Sequence, residues 1–112
     1  MPHKLVFSPV FKITLKRLCS FLTRKYSQNL ANTTKARIRC EIEEKLLSDP
    51  FIGPICDRLL DLGIANYRQL VIDKHNLVIY RVDEVQKTIN VLLVFDSRQS
   101  IGKLLSDVNL II

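Results

Sequence analysis

The amino-acid sequence predicts an α+β domain in which a helix hairpin packs on one face of a curved sheet. Two stretches within residues 1–50 carry apolar residues at helical spacing, and three short apolar runs between residues 66 and 96 alternate with polar connections. The chain has 112 residues, of which 47% are hydrophobic and 25% are charged. This length and composition suit one compact globular domain spanning 1–112.

The first half of the chain is expected to form one strand and two helices. Residues 4–8 predict a strand, Ser8 is a candidate N-cap, and Pro9 suits the first turn of a helix that continues to about residue 25. A second helix is expected from near residue 27 towards residue 48. The apolar stripes of the two helices are Phe11, Leu15, Leu18 and Leu22, and then Leu30, Thr34, Ile38, Ile42 and Leu46. The short link between them predicts an antiparallel hairpin.

The second half is expected to form three strands. Asp49 and Pro50 end the second helix, and residues 55–64 predict either a helical turn or a loop. The expected strands are Tyr67–Ile72, Asn76–Val82 and Thr88–Phe95. Their short connections predict an antiparallel meander within 66–96, which gives the order β-α-α-β-β-β. Residues 97–112 form the C-terminal tail, with a short helix or a loose segment expected at 101–112.

The charge of the chain is concentrated in its first half. There are 17 Lys and Arg against 11 Asp and Glu, which gives a net charge of +6. Residues 1–50 contain ten basic and four acidic residues, whereas residues 51–112 contain seven of each. This asymmetry indicates a polyanionic neighbour, which could be nucleic acid, an acidic protein segment or a membrane surface. The alternative is a soluble surface that happens to be basic.

The cysteines and histidines point away from disulfides and metal binding. Cys19, Cys40 and Cys56 are odd in number and lack CxxC spacing, so we expect buried, reduced thiols in a cytoplasmic protein. His3 and His75 have no cysteine at zinc-ligand spacing. No segment has the roughly 20 apolar residues needed to span a bilayer. We therefore expect no metal, no cofactor and no membrane partner.

Polar residues on and after the predicted strands are the candidates for chemistry, since no catalytic motif is present. Arginine can bind phosphate with two hydrogen bonds, and tyrosine can stack on a base. Tyr80 and Arg81 are adjacent on one strand and must point to opposite faces. The alternatives are that Tyr80 is a core residue, that Arg68 and Arg81 pair with acids, and that Asp96 and Arg98 form a turn ion pair.

The order and spacing of several segments resemble the RelE/ParE superfamily of toxins from type II toxin–antitoxin systems. The resemblance covers nearly the whole chain, from the opening strand with Ser8-Pro9 to the sequence NVLLVFDSRQ. Its most specific parts are Tyr67-Arg68-Gln69-Leu70 and Ile79-Tyr80-Arg81-Val82-Asp83, which look like the "YREL" and "ILYRVD" strands of that family. Arg98 matches the arginine that follows the last strand in the family.

The resemblance implies one of two activities. RelE-like members cleave mRNA on the ribosome, and ParE-like members poison DNA gyrase. In the ribonucleases an arginine lies three residues before the tyrosine that aligns with Tyr80, and Leu77 occupies that position here. The resemblance therefore favours a ParE-like toxin without catalysis of its own, although Asp96 stands where the family often has a histidine. The alternatives are a ribosome-dependent mRNA endonuclease that uses Arg68, Arg81 and Arg98, and a non-toxic basic RNA-binding or assembly domain.

The resemblance also implies an antitoxin that wraps the toxin in a hetero-oligomer. An acidic, partly disordered antitoxin would complement the basic helix hairpin. The candidate antitoxin-binding residues are Lys12, Lys16, Arg24, Lys35 and Arg39. The candidate target-binding residues are Arg68, Tyr80, Arg81, Arg98, Gln99 and Lys103.

Overall fold

A four-stranded sheet forms the centre of the fold in the computed structural model, which describes residues 3–98. The strands are β1 (Lys4–Phe7), β2 (Arg68–Val71), β3 (Asn76–Asp83) and β4 (Thr88–Asp96), in the spatial order β1-β4-β3-β2. Strands β2, β3 and β4 form the predicted antiparallel meander, and β1 lies parallel to β4. The predicted α+β architecture is confirmed.

Helix α1 (Pro9–Lys25) begins where the sequence predicts and is attached to β4 by two hydroxyl groups. The Ser8 hydroxyl accepts a hydrogen bond from the Phe11 backbone N–H at 3.0 Å and donates to the Leu92 carbonyl at 2.7 Å. One turn later, the buried Thr14 hydroxyl donates to the Phe11 carbonyl and accepts from the Val94 backbone N–H at 3.1 Å. Both contacts lie beside a bulge where β4 has one residue more than β3, so α1 satisfies the polar groups that the bulge exposes.

Helix α2 (Gln28–Glu41) continues into a π-helical turn, Ile42–Leu46. The Ser27 hydroxyl caps α2 by accepting from the Leu30 backbone N–H. In a regular α-helix, residues four positions apart turn gradually away from a common face. The wider π turn offsets this rotation, so Ile42 and Leu46 both remain fully buried. The prediction that Leu30 belongs to the buried stripe is wrong: Leu30 is 41% exposed, and the smaller Ala31 faces the core where α1 and α2 approach closely.

Apolar clusters cover both faces of the sheet. The larger cluster lies between the sheet and the hairpin of α1 and α2, and the smaller one lies on the opposite face around Cys56, Leu59 and Phe95. All three cysteines are free thiols, but the prediction that all are buried is wrong. Cys40 is exposed because it lies on the outer side of α2, and Cys19 is half-buried.

A segment after the π turn runs along the outer edge of β2, and we call residues 49–56 the edge strap. Its main-chain contacts are the Gln69 N–H to the Pro54 carbonyl at 2.9 Å and the Cys56 N–H to the Tyr67 carbonyl at 2.8 Å. The short helix α3 (Asp57–Asp61) follows. Of the two alternatives predicted for residues 55–64, the structure therefore has the helical turn. In the described part of the chain, no helix is long and apolar enough to cross a membrane.

Candidate functional site

A groove lies between the two helices of the hairpin, beside the end of β1. Its volume is about 350 Å³. Its apolar lining consists of Phe7, Phe11, Leu15 and Cys19, and its basic lining consists of Lys12, Lys16, Lys35 and Arg39. We call it the hairpin groove. It combines an apolar floor with a cationic rim, which suits a ligand that is both acidic and apolar.

The local helix geometry brings the four cations together. Lys12 and Lys16 are four residues apart on α1, and Lys35 and Arg39 are four residues apart on α2, so each pair lies on one side of its helix. All four side chains are exposed. The sequence contains no acidic residue before Glu41, so nothing within the first 40 residues neutralises them.

Arg24 does not line the hairpin groove. It borders a second, more open depression near the turn between α1 and α2, which it shares with Lys16, Thr23 and Gln28. The structure thus brings together four of the five residues predicted to bind an antitoxin, and places Arg24 beyond them along α1.

Arg68 holds the edge strap. Its Nη1 donates to the Gly53 carbonyl at 2.7 Å, and its guanidinium lies 5.0 Å from the centre of the Phe51 ring. The alternative that Arg68 pairs with an acid is therefore wrong for this structure, since its guanidinium contacts the Gly53 carbonyl and the Phe51 ring instead. Arg68 remains half-buried rather than presented on the surface.

Tyr80 is fully buried and belongs to the core beneath the helix hairpin. Its hydroxyl accepts a hydrogen bond from the Gly53 backbone N–H at 3.0 Å, and burial raises the pKa of the phenol. The prediction that Tyr80 binds the target is wrong for this structure, because its buried side chain offers no surface to a partner. Tyr80 is a core residue, as the alternative stated.

Arg81 points away from the helix hairpin and is exposed, as its alternation with Tyr80 predicts. It takes part in no ion pair among residues 3–98, so the alternative that it pairs with an acid is also wrong. Its neighbour across the sheet is Asn90, which in turn aligns with Val6 of β1. Arg81 is thus the candidate target residue that is free to meet a ligand on this face.

Arg98 closes a cluster at the end of β4. Its Nε donates to Asp96 at 2.7 Å, its Nη2 also contacts Asp96, and its Nη1 contacts the Tyr26 hydroxyl. The guanidinium lies 5.0 Å from the centre of the Tyr26 ring and 5.9 Å from that of Phe21. Burial of Asp96 by itself would raise the pKa of its carboxyl group. The hydrogen bonds and the charge of Arg98 outweigh burial, so the pKa of Asp96 lies below its usual value. The turn ion pair considered from the sequence is therefore present.

The remaining predicted positions do not add a polar side chain to the described site. Gln99 and Lys103 lie outside the described residues. Leu77, in the position of the ribonuclease arginine, is half-buried and packs on the smaller apolar cluster.

Two aromatic residues of the site were not predicted from the sequence. Tyr26 contacts Arg98 from 72 positions away, and Phe51 contacts Arg68 from 17 positions away, so no local pattern indicates either contact. No group of three metal-ligating side chains occurs within residues 3–98.

Comparisons with known proteins identify the fold. No protein-family model and no curated protein matches the chain. The structure is similar to a chain of the toxin–antitoxin complex RelBE2 from Mycobacterium tuberculosis, with a TM-score of 0.56 at 17% identity over 86% of this chain and 99% of that one. It is also similar to a chain of the chromosomal ParDE toxin–antitoxin system from P. aeruginosa, with a TM-score of 0.66 at 14% identity over 84% and 95%. The resemblance inferred from the sequence is confirmed as a RelE/ParE-like fold.

Proposed function

We propose that the protein is the toxin of a type II toxin–antitoxin system, which arrests bacterial growth in the cytoplasm and is neutralised by an acidic antitoxin. The hairpin groove is the observation that carries this proposal. It has an unneutralised cationic rim above an apolar floor, on a fold that also occurs in two toxin–antitoxin systems. Fold alone does not determine function, so the argument depends on the groove.

The lining of the hairpin groove indicates which kind of antitoxin segment would bind there. Lys12, Lys16, Lys35 and Arg39 surround a space that accommodates a few apolar side chains. An amphipathic acidic segment of an antitoxin would bury its apolar side chains on the floor and place its carboxylates beside the rim. Such charge complementarity raises the association rate and makes it sensitive to salt.

We propose DNA gyrase as the target, bound without catalysis. RNA cleavage requires charged groups around the scissile phosphate. Leu77 is apolar, Tyr80 is buried in the core, and the guanidinium of Arg98 is occupied by Asp96 and Tyr26. These three positions do not supply such a set, which supports the ParE-like activity over the ribonuclease.

One observation favours the second candidate, a ribosome-dependent mRNA endonuclease. Arg81 is exposed on the sheet face opposite the helix hairpin, beside Asn90. A guanidinium in this position is available to bind a phosphate group. The ribonuclease would then need to use Arg81 as its main cation.

Induction of the gene in a bacterial host separates the candidates. A gyrase poison produces gyrase–DNA cleavage complexes and DNA damage before translation falls. A ribonuclease produces immediate loss of translation with cut mRNA. If the protein is a ribonuclease, the Arg81→Ala variant should lose mRNA cleavage. Normal growth after induction of well-expressed, folded protein would contradict both.

A further inference from the structure

A row of exposed side chains runs along one flank of α2 and onto the π turn that follows. Lys35, Arg39, Glu43 and Leu47 recur every four residues, so they project from successive turns in nearly the same direction. All four are exposed, and Leu47 is 47% exposed although it is apolar. We call them the α2 row. Read along the helix, the row is positive, positive, negative and apolar.

The charges of the α2 row are not neutralised within the described part of the chain. Among residues 3–98, Lys35, Arg39 and Glu43 form no ion pair. The nearby pair Glu41 and Lys45, at 2.9 Å, lies on the other flank of the helix and leaves the row untouched. Reversing the row sets the positive Arg39 against the negative Glu43, so the row is complementary to a reversed copy of itself.

We propose that the α2 row is the interface of a homodimer, in which a second copy of the chain packs its α2 antiparallel to the first. A two-fold axis near residue 41 places Arg39 of each copy opposite Glu43 of the other, and Lys35 opposite Leu47. A two-fold contact of this kind uses the same surface on both copies and closes at two chains. Parallel packing would instead place like charges opposite each other.

The apolar end of the row also finds a partner in this arrangement. Leu47 of one copy meets the aliphatic stem of Lys35 of the other, beside the hairpin groove that Lys35 lines. Lysine stems cover apolar surface while the ammonium group stays in water. The antiparallel dimer therefore covers an exposed leucine and pairs four charges.

Because Lys35 and Arg39 also line the hairpin groove, the dimer and the proposed antitoxin complex exclude each other. The dimer is thus a state of the chain without antitoxin. The dimer itself does not depend on the proposed function, since its interface is defined by the α2 row alone.

Analytical ultracentrifugation of the purified chain alone tests the dimer at low and high salt. The wild-type chain should dimerise in a concentration-dependent way, and salt should weaken the dimer. Charge reversal in Lys35→Glu/Arg39→Glu, or in Glu43→Lys, should raise the dimer Kd roughly tenfold or more. A mixture of these two variants should form a heterodimer, because each row then carries one sign throughout. Circular dichroism confirms that both variants are folded.

A control variant, Arg58→Glu/Arg81→Glu, lowers the net charge as much as Lys35→Glu/Arg39→Glu does. Its two exposed residues belong to α3 and β3 rather than to the helix hairpin, so it should dimerise like the wild type. A wild-type chain that stays monomeric at low salt would overturn the proposal. Binding of polyglutamate or single-stranded RNA by that monomer would show that the row meets a polyanion rather than a second copy of the chain. Equal loss of the dimer in the control, or no heterodimer in the mixture, would also overturn it. None of these measurements involves growth arrest, so failure of the toxin assignment would leave them unchanged.

Discussion

Replacing Tyr80 by phenylalanine distinguishes a core residue from a target-binding residue. The Tyr80 hydroxyl accepts the Gly53 backbone N–H at 3.0 Å in a fully buried position. Phenylalanine keeps the shape of the ring, so no cavity forms, but the Gly53 N–H is left buried without its acceptor. Such an unsatisfied donor costs about 1–3 kcal/mol, which is a large fraction of the stability of a small domain.

Urea unfolding followed by circular dichroism measures this effect. The midpoint of Tyr80→Phe should fall while the m-value stays constant, because the area exposed on unfolding does not change. The matched control is Tyr67→Phe, since the Tyr67 hydroxyl makes no hydrogen bond within residues 3–98, and we expect a change below about 0.5 kcal/mol. If Tyr80→Phe unfolds at the wild-type urea concentration but loses toxicity, Tyr80 contacts the target and the core assignment is refuted.

Three further predictions concern single side chains. Gly53→Ala should lose about 1–3 kcal/mol in the same urea assay, because its Cβ would lie 2.2 Å from the Gln69 carbonyl oxygen, and wild-type stability would contradict the close approach. Asp96→Asn should lose about 1–3 kcal/mol at neutral pH by breaking the Arg98 pair. Because the folded-state pKa of Asp96 is lowered, its contribution is present above the unfolded pKa of about 3.9 and disappears as the pH falls through the folded value. The stability of the variant should therefore fall less steeply in acid than that of the wild type, and parallel acid limbs would contradict this. Arg81→Ala should change stability by less than about 0.5 kcal/mol, since the side chain is exposed and unpaired among residues 3–98.

The hydrophobic pattern was sufficient to predict most of the fold. The strand and helix boundaries follow from local signals such as Ser8 and Pro9, which act within one turn of the chain. The burial of Ala31 in place of Leu30 was not predictable, because it depends on how closely α2 approaches α1. The π turn at Ile42–Leu46 was also missed, since its one additional residue is set by packing against the sheet rather than by local propensity.

The candidate site was less predictable than the fold. The excess of basic residues in the first half of the chain indicated a basic hairpin. Four of the five predicted antitoxin residues line one groove. The roles of the strand residues depend on distant partners: Gly53 for Tyr80, and Tyr26 for Arg98. A polar residue on a strand can face either a core or a partner, and sequence alternation alone does not identify which face the helices cover.

Colony formation after induction tests the central claim most directly. The wild-type chain and Lys35→Glu/Arg39→Glu are each induced with and without the product of the neighbouring small open reading frame, the expected antitoxin. Wild-type induction should abolish colonies, and co-expression should restore them. The variant should still abolish colonies but escape the rescue, because its groove has lost half of its cationic rim. Equal rescue of both chains, or normal growth after wild-type induction, would contradict the assignment of the hairpin groove as the antitoxin site of a toxin.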